Sequence, residues 1–153
     1  MQWLGPFNSL FYVIQEQPNC MINIYDERTN EKEISFKWGN DVIVGCNASL
    51  SMPMDLVVAD ENGKLAIIDL RAMGEVERSS LGRTVKQFEV HRQLPIGMGV
   101  VDNSVFALMF NDGLRPDYLG NINIDSFCLH NSDASCAIRI GNKVENIDIR
   151  IDV

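Results

Sequence analysis

The chain has 153 residues, 46% hydrophobic and 22% charged, and a net charge of −8. That length favours one domain, 1–153, able to bury a core without a metal or a disulfide. The acidic balance argues against a duplex nucleic-acid binder, which needs Lys and Arg to replace phosphate counterions, and against docking on an anionic membrane.

The N-terminal stretch "MQWLGPFNSLFYVIQ" is apolar and aromatic, with no Lys or Arg before Arg28. It lacks the charged start of a secretory signal. Gly5-Pro6 interrupts it, and no apolar run reaches the ~18 residues of a membrane-spanning helix. The expectation is an intracellular, cytoplasmic protein or a component of an assembled particle. Residues 1–8 read as an N-terminal arm whose Trp3 and Phe7 are held by the domain or by a neighbouring chain.

Period-2 alternation then dominates. Strands are expected at 9–15, 20–26 and 33–38, where Ile34, Phe36 and Trp38 share a face. "DVIVGC" (41–46) is a nearly continuous apolar run, as expected of a strand buried on both faces. "MDLVVADENGKLAIIDL" (54–70) reads as a hairpin, with Gly63 supplying the positive φ of a type I turn and G1 bulge. Residues 71–83 break the pattern and read as one short helix near 74–81 or a long connection. A strand resumes at 84–92. "QLPIGMGVVDN" (93–103) reads as a loop carrying Ile96 and Met98, either folded onto the core or offered to a partner. A strand at 104–110 precedes the turn-rich 111–121, and strands at 122–130, 136–140 and 145–153 follow. In the last, Ile147, Ile149, Ile151 and Val153 alternate with polar residues. No internal repeat is visible. About ten short strands predict an all-β, antiparallel β-sandwich, with a jelly roll as one version.

The densest chemistry lies in "SFCLHNSDASCAIRIGNK" (126–143). Cys128 and Cys136 are symmetric about Ser132, which predicts a cross-strand thiol pair, kept as two free thiols in a reducing compartment. Cys20 and Cys46 read as small buried hydrophobes. Nucleophilic catalysis by Cys128 and His130 would need an orienting third group within hydrogen-bond reach. Asn131, Ser132 and Asp133 read better as turn formers. Two histidines and no CxxC give no zinc spacing. "NDGLRPD" (111–117) lacks the ligand order of a calcium loop. No catalytic, metal or cofactor site is expected. Phase adds one question: Ile122 and Ile124 lie on one parity, Phe127 and Leu129 on the other. Either the phase shifts near Asp125-Ser126, or both faces of that strand are covered.

Charge is uneven. Arg71, Arg78, Arg83, Lys86 and Arg92 against Glu75, Glu77 and Glu89 give residues 71–92 a local +2. Arg71, Arg78, Arg83 and Arg92, with Trp3, Phe7, Ile96 and Met98, are the expected partner contacts. The function these features favour is a non-enzymatic protein-interaction module, most of all a structural subunit of a larger assembly such as a viral or phage particle. Its partners are a protein or copies of itself. The alternatives are an acidic inhibitor or immunity-type protein that covers a basic enzyme, and a carbohydrate-binding sandwich using Trp3, Trp38, Tyr25 or Tyr118.

Overall fold

The computed structural model describes residues 2–3, 9–16, 19–72, 74–102, 104–120 and 123–149; of Gln2, Trp3 and Asp112 only the backbone is described. The strands form four small antiparallel sheets, each a simple meander. The first holds β1 (Gln2–Trp3), β2 (Leu10–Gln15), β3 (Cys20–Asp26) and β4 (Glu31–Gly39). The second holds β5 (Ile43–Ser49), β6 (Met52–Asp60), β7 (Lys64–Asp69) and β8 (Gly74–Ser80). The third holds β9 (Val85–Val90), β10 (Ile96–Val101), β11 (Ser104–Met109) and β12 (Pro116–Gly120). The fourth holds β13 (Ser126–Leu129), β14 (Ser135–Ile140) and β15 (Lys143–Asp148).

The expected two-layer sandwich is not what these residues build. Three apolar cores lie one after another between successive sheets. Leu56, Val58, Ala66 and Ile68 of the second sheet pack with Tyr12, Ile22 and Ile24 of the first. Val57, Ala59, Leu65 and Ile67, their neighbours in sequence, pack with Val85, Phe88, Phe106 and Leu108 of the third. Met98, Val100 and Val105 then pack with Phe127, Leu129, Cys136 and Ile138 of the fourth. A sandwich sheet buries one face and alternates apolar with polar. The runs in β6 and β7 are apolar at consecutive positions because both faces are covered.

Three segments expected to be irregular are strands. Residues 74–80 form β8 rather than a short helix. As the outermost strand of its sheet β8 has little to bury, and Val76 is 67% exposed. Residues 96–101 form β10 rather than a loop, because aromatic rings cover its glycines. A Cβ on Gly97 would lie 2.7 Å from Cζ of both Phe88 and Phe110, and one on Gly99 2.4 Å from Cζ of Phe106. Residues 116–120 form β12, with Pro116 at its first position, where a missing N–H is tolerated.

The 54–70 hairpin folds as its sequence predicts: Gly63 has φ +82, and its N–H donates to the Asp60 carbonyl at 3.1 Å. The phase question at 122–130 is also answered. Ile124, Phe127 and Leu129 all enter the third core while Cys128 is exposed, so the phase shifts as β13 begins at Ser126. The last strand ends at Asp148; Ile149, just past it, is buried, but Ile147 is 36% and Val144 69% exposed. Ile122, Ile151 and Val153 lie outside the described residues.

The β3–β4 turn carries a testable charge contact. The Arg28 side chain and backbone N–H both donate to Asp26, holding its carboxyl down at about 2. An unfolded Asp sits near ~3.9. A depressed carboxyl stabilises the fold above about pH 4, and the contribution disappears as pH falls through about 2. The stability gap between wild type and Asp26→Asn should be constant above that window and close within it. Denaturant unfolding at stepped pH measures it.

Candidate protein-contact surfaces

In this arrangement the turns after odd-numbered strands gather at one rim and those after even-numbered strands at the other. On the first rim Leu50 N–H donates to the Arg92 carbonyl at 2.7 Å; on the second Leu81 N–H donates to the Gly63 carbonyl at 2.8 Å. Polar side chains fasten neighbouring sheets. Trp38 Nε1–H donates to Asp60 Oδ2 at 3.0 Å between the first and second sheets, and the Tyr12 hydroxyl donates to the Cys46 carbonyl. Glu77 Oε1 accepts from Leu114 N–H at 2.8 Å between the second and third.

Between the third and fourth sheets, β9 side chains capture the inner edge of β13. Gln87 donates to the Phe127 carbonyl at 2.7 Å and accepts from its N–H at 3.2 Å. Glu89 Oε2 accepts from Leu129 N–H at 3.0 Å.

His91 completes this fastening. It is fully buried, and its Nδ1 accepts from Gln93 N–H at 3.1 Å and Leu94 N–H at 3.0 Å. The proton therefore sits on Nε2, which donates to the Asp133 carbonyl at 2.8 Å. The 130–134 tip is thus tied to the third sheet. His91→Leu strands two N–H donors and a carbonyl. Gln93 and Asp133 are exposed and can be rehydrated, so it should cost about 1–3 kcal/mol in urea unfolding, the cost of one unsatisfied buried polar group.

The tip residues otherwise serve their own turn. The Ser135 hydroxyl donates to Asp133 Oδ1, and His130 N–H donates to the Ser135 carbonyl at 3.0 Å. The cysteines do not face each other as expected. Leu129 pairs with Cys136, and Cys128 with Ala137. One residue of register puts Cys128 on the exposed face and Cys136 in the core, both as free thiols. Cys20 and Cys46 are buried. Burial pushes the thiols of Cys20, Cys46 and Cys136 up. A bulky thiol reagent should modify Cys128 in the native protein and reach the other three only after denaturation. Among the described residues no three His, Cys, Asp or Glu side chains converge on a point that could hold a metal ion.

The residues expected to contact partners are scattered. Trp3 pairs through its backbone with Phe11 in the first sheet; Phe7 lies outside the described residues. Arg71, on the same rim as Arg92, is ion-paired with Asp69 at 3.1 Å. Arg78 lies on β8, paired with Glu75 at 2.5 Å. Arg83, near the opposite rim, sits 5.4 Å over the Tyr118 ring. These arginines form no single basic patch. Ile96 and Met98 are each 2% exposed, inside the core. Among the aromatics named for sugar stacking, Trp38 is buried, with Lys64 Nζ 3.8 Å over its ring. Tyr25 stacks on Phe11 with 5.3 Å between centroids.

Of the expected contacts among the described residues, Met98 alone reaches the open apolar surface, from its floor. A cavity of about 270 Å³ opens between the third and fourth sheets, lined among others by Met98, Val105, Leu119, Ile138 and Ile147. Leu119 on β12 is 46% exposed. Sequence reasoning named Met98 but missed the rest of this site, because Leu119 sits in a turn-like stretch and Ile147 reads as one more core position.

No family model matches the chain, and neither does any curated protein. Solved structures do match in shape. The β-propeller domain of Myceliophteria thermophila Cps50 (Swd1) aligns with a TM-score of 0.79 at 10% identity, over 96% of this chain and 50% of that one. Kuenenia stuttgartiensis hydrazine synthase gives 0.74 at 11%, over 95% and 44%. The RRP9 WD40 repeats give 0.70 at 13%, over 88% and 42%. At such identities the likeness shows the fold alone: four successive sheets of β-propeller type, which overturns the sandwich. The chain spans half or less of the length of these structures. No helix among the described residues is long and apolar enough to cross a membrane.

Proposed function

We propose that the chain is a non-enzymatic protein-contact module, an arc of propeller sheets that presents its open surfaces to other proteins. Repeated sheet architectures of this kind expose broad rims and edges without needing an active site. The observation that carries the reading is a division of labour. The polar groups best suited to chemistry, His91, Asp60 and Glu89, are occupied in holding sheets together. What stays open at the cavity is apolar: Leu119 and Ile147 line it and are both exposed. Exposed apolar clusters of this kind mark interaction sites.

The finer reading is a subunit of a larger assembly, which draws on the same apolar edge. The three solved neighbours named above are not virion or phage proteins, so a particle role gains no support from them.

Affinity capture with a tagged chain from its source cells tests the module reading. The expected result is one or more proteins retained in near-equimolar amount. A chain that stays alone across the salt range would overturn it, as would a turnover activity abolished by Cys128→Ser.

A further inference from the structure

Asn62 is the one asparagine in the chain that is followed by glycine. The backbone nitrogen after an asparagine can attack that side chain, and a glycine without a Cβ leaves the approach open. Asparagine counts among the thermolabile residues of proteins. Asn131, also exposed, precedes Ser132 instead, whose side chain obstructs the same approach.

The fold makes the Asn62-Gly63 pair useful. Gly63 has φ +82, and a Cβ there would lie 2.3 Å from the Arg83 carbonyl oxygen, so the position calls for glycine. Asn62 is exposed, and its Nδ2 donates to Asp41 Oδ1 at 2.8 Å, which joins the β6–β7 turn to the segment between β4 and β5. A carboxylate at position 62 has no hydrogen to donate there.

The same bonds restrain the reaction. Attack needs the Gly63 nitrogen turned onto Asn62 Cγ. In the native turn Gly63 N–H donates to the Asp60 carbonyl at 3.1 Å, and the Gly63 carbonyl accepts from Leu81 N–H at 2.8 Å. Asn62 N–H donates to Asp60 Oδ1 at 3.0 Å. With Asp41 holding the amide, both reacting groups are committed elsewhere.

We propose that Asn62 is a deamidation site gated by opening of the β6–β7 turn, with Asp41 as its guard. When the turn opens, a base takes the Gly63 amide proton and the nitrogen attacks Asn62 Cγ. The N–Cγ bond forms, the Cγ–Nδ2 bond breaks, and Nδ2 takes up a proton and leaves as ammonia. Water then opens the cyclic imide at one of its two carbonyls, leaving aspartate or isoaspartate at position 62. Either product sets a carboxylate against Asp41, where the amide had donated, beside Asp60. Isoaspartate also lengthens the main chain inside a turn that closes on the Asp60 carboxylate. The conversion is irreversible, so it marks chains whose turn has been open and loosens the tie between the first and second sheets in them.

The test holds the full chain in mildly alkaline buffer, native and in guanidinium chloride. Conversion at each asparagine is followed by peptide mass spectrometry with methyltransferase labelling of isoaspartate. In guanidinium Asn62 should convert faster than Asn131, and at least about tenfold faster than in the native chain, as a reaction limited by local opening requires. In the native chain Asp41→Ala should speed Asn62 by about threefold to tenfold, the factor one hydrogen bond contributes. Asp41→Asn keeps an acceptor and should stay closer to wild type. Asn131 should keep its native rate in both variants, which separates loss of the guard from general loosening of the fold. If Asp41→Ala fails to fold, the comparison of native and unfolded wild type decides. Asn62→Asp, one product made directly, should lower the urea midpoint. Equal rates at Asn62 in the native and unfolded chain would overturn the proposal, as would faster conversion at Asn131. So would a folded Asp41→Ala chain that converts Asn62 no faster than wild type, or an Asn62→Asp chain as stable as wild type.

Discussion

Asp60→Ala should destabilise the chain by about 3–6 kcal/mol, because it strands three donors at a cost of about 1–3 kcal/mol each. Asp60 is fully buried. Its Oδ1 accepts from Asn62 N–H at 3.0 Å and Lys64 N–H at 2.9 Å, and its Oδ2 from Trp38 Nε1–H at 3.0 Å. One carboxylate therefore closes the β6–β7 turn and ties the end of β4 to it. Lys64 lies over the Trp38 ring and donates to the Trp38 carbonyl at 3.3 Å, a further tie between the end of β4 and the start of β7. Trp38→Phe keeps most of the buried ring and removes one bond, so it should cost less. The double variant should cost less than the two single changes added together, because they share that bond. Urea unfolding of the three chains measures the cycle.

Gly45→Ala should cost about 3 kcal/mol, the upper end of the range for overpacking a rigid contact. A Cβ at Gly45 would lie 2.3 Å from the Phe88 carbonyl oxygen and 2.9 Å from its carbonyl carbon. The obstacle is backbone, so rotamer changes give no relief. This is where β5 and β9, the first strands of neighbouring sheets, approach most closely. Gly74→Ala is the contrast. Its Cβ would meet only the Ala72 carbonyl, at 3.9 Å, and it should leave the thermal midpoint nearly unchanged.

Much of the strand content was legible, because alternation and turn chemistry are local. The β6–β7 hairpin is written in "ADENGK", and the sequence shows it. The architecture was hidden by three strands. β8 reads "GEVERSS" and lies outermost, so it has no apolar face to display. β12 reads "PDYLG", which looks like a turn. In β10 the glycines that suggested a loop are the spaces into which Phe88, Phe106 and Phe110 fit. Without β8, β10 and β12, meanders of four strands look like separate hairpins, and hairpins suggest a sandwich.

The repeat was missed for the same reason. The second strands start at Leu10, Met52, Ile96 and Ser135, a spacing of roughly 40 residues that suits propeller sheets. What recurs is a pair of apolar strands around a turn, and the turn residues differ every time. The 126–143 stretch shows the limit of residue types. Its Cys, His, Ser and Asp suggested chemistry. One step of register separated the thiols, and the residue that matters most to the tip, His91, lies on another sheet.

Amide hydrogen exchange on the chain alone, resolved to single strands, tests the central claim most directly. The account predicts slow exchange in β6, β7, β10 and β11, which have strands on both sides and packed faces. It predicts fast exchange for β8, the outermost strand of its sheet, whose side chains are largely exposed. If β6 and β7 exchange as fast as β8, their two faces are not both covered, and the account of successive sheets with an apolar core between each pair is wrong.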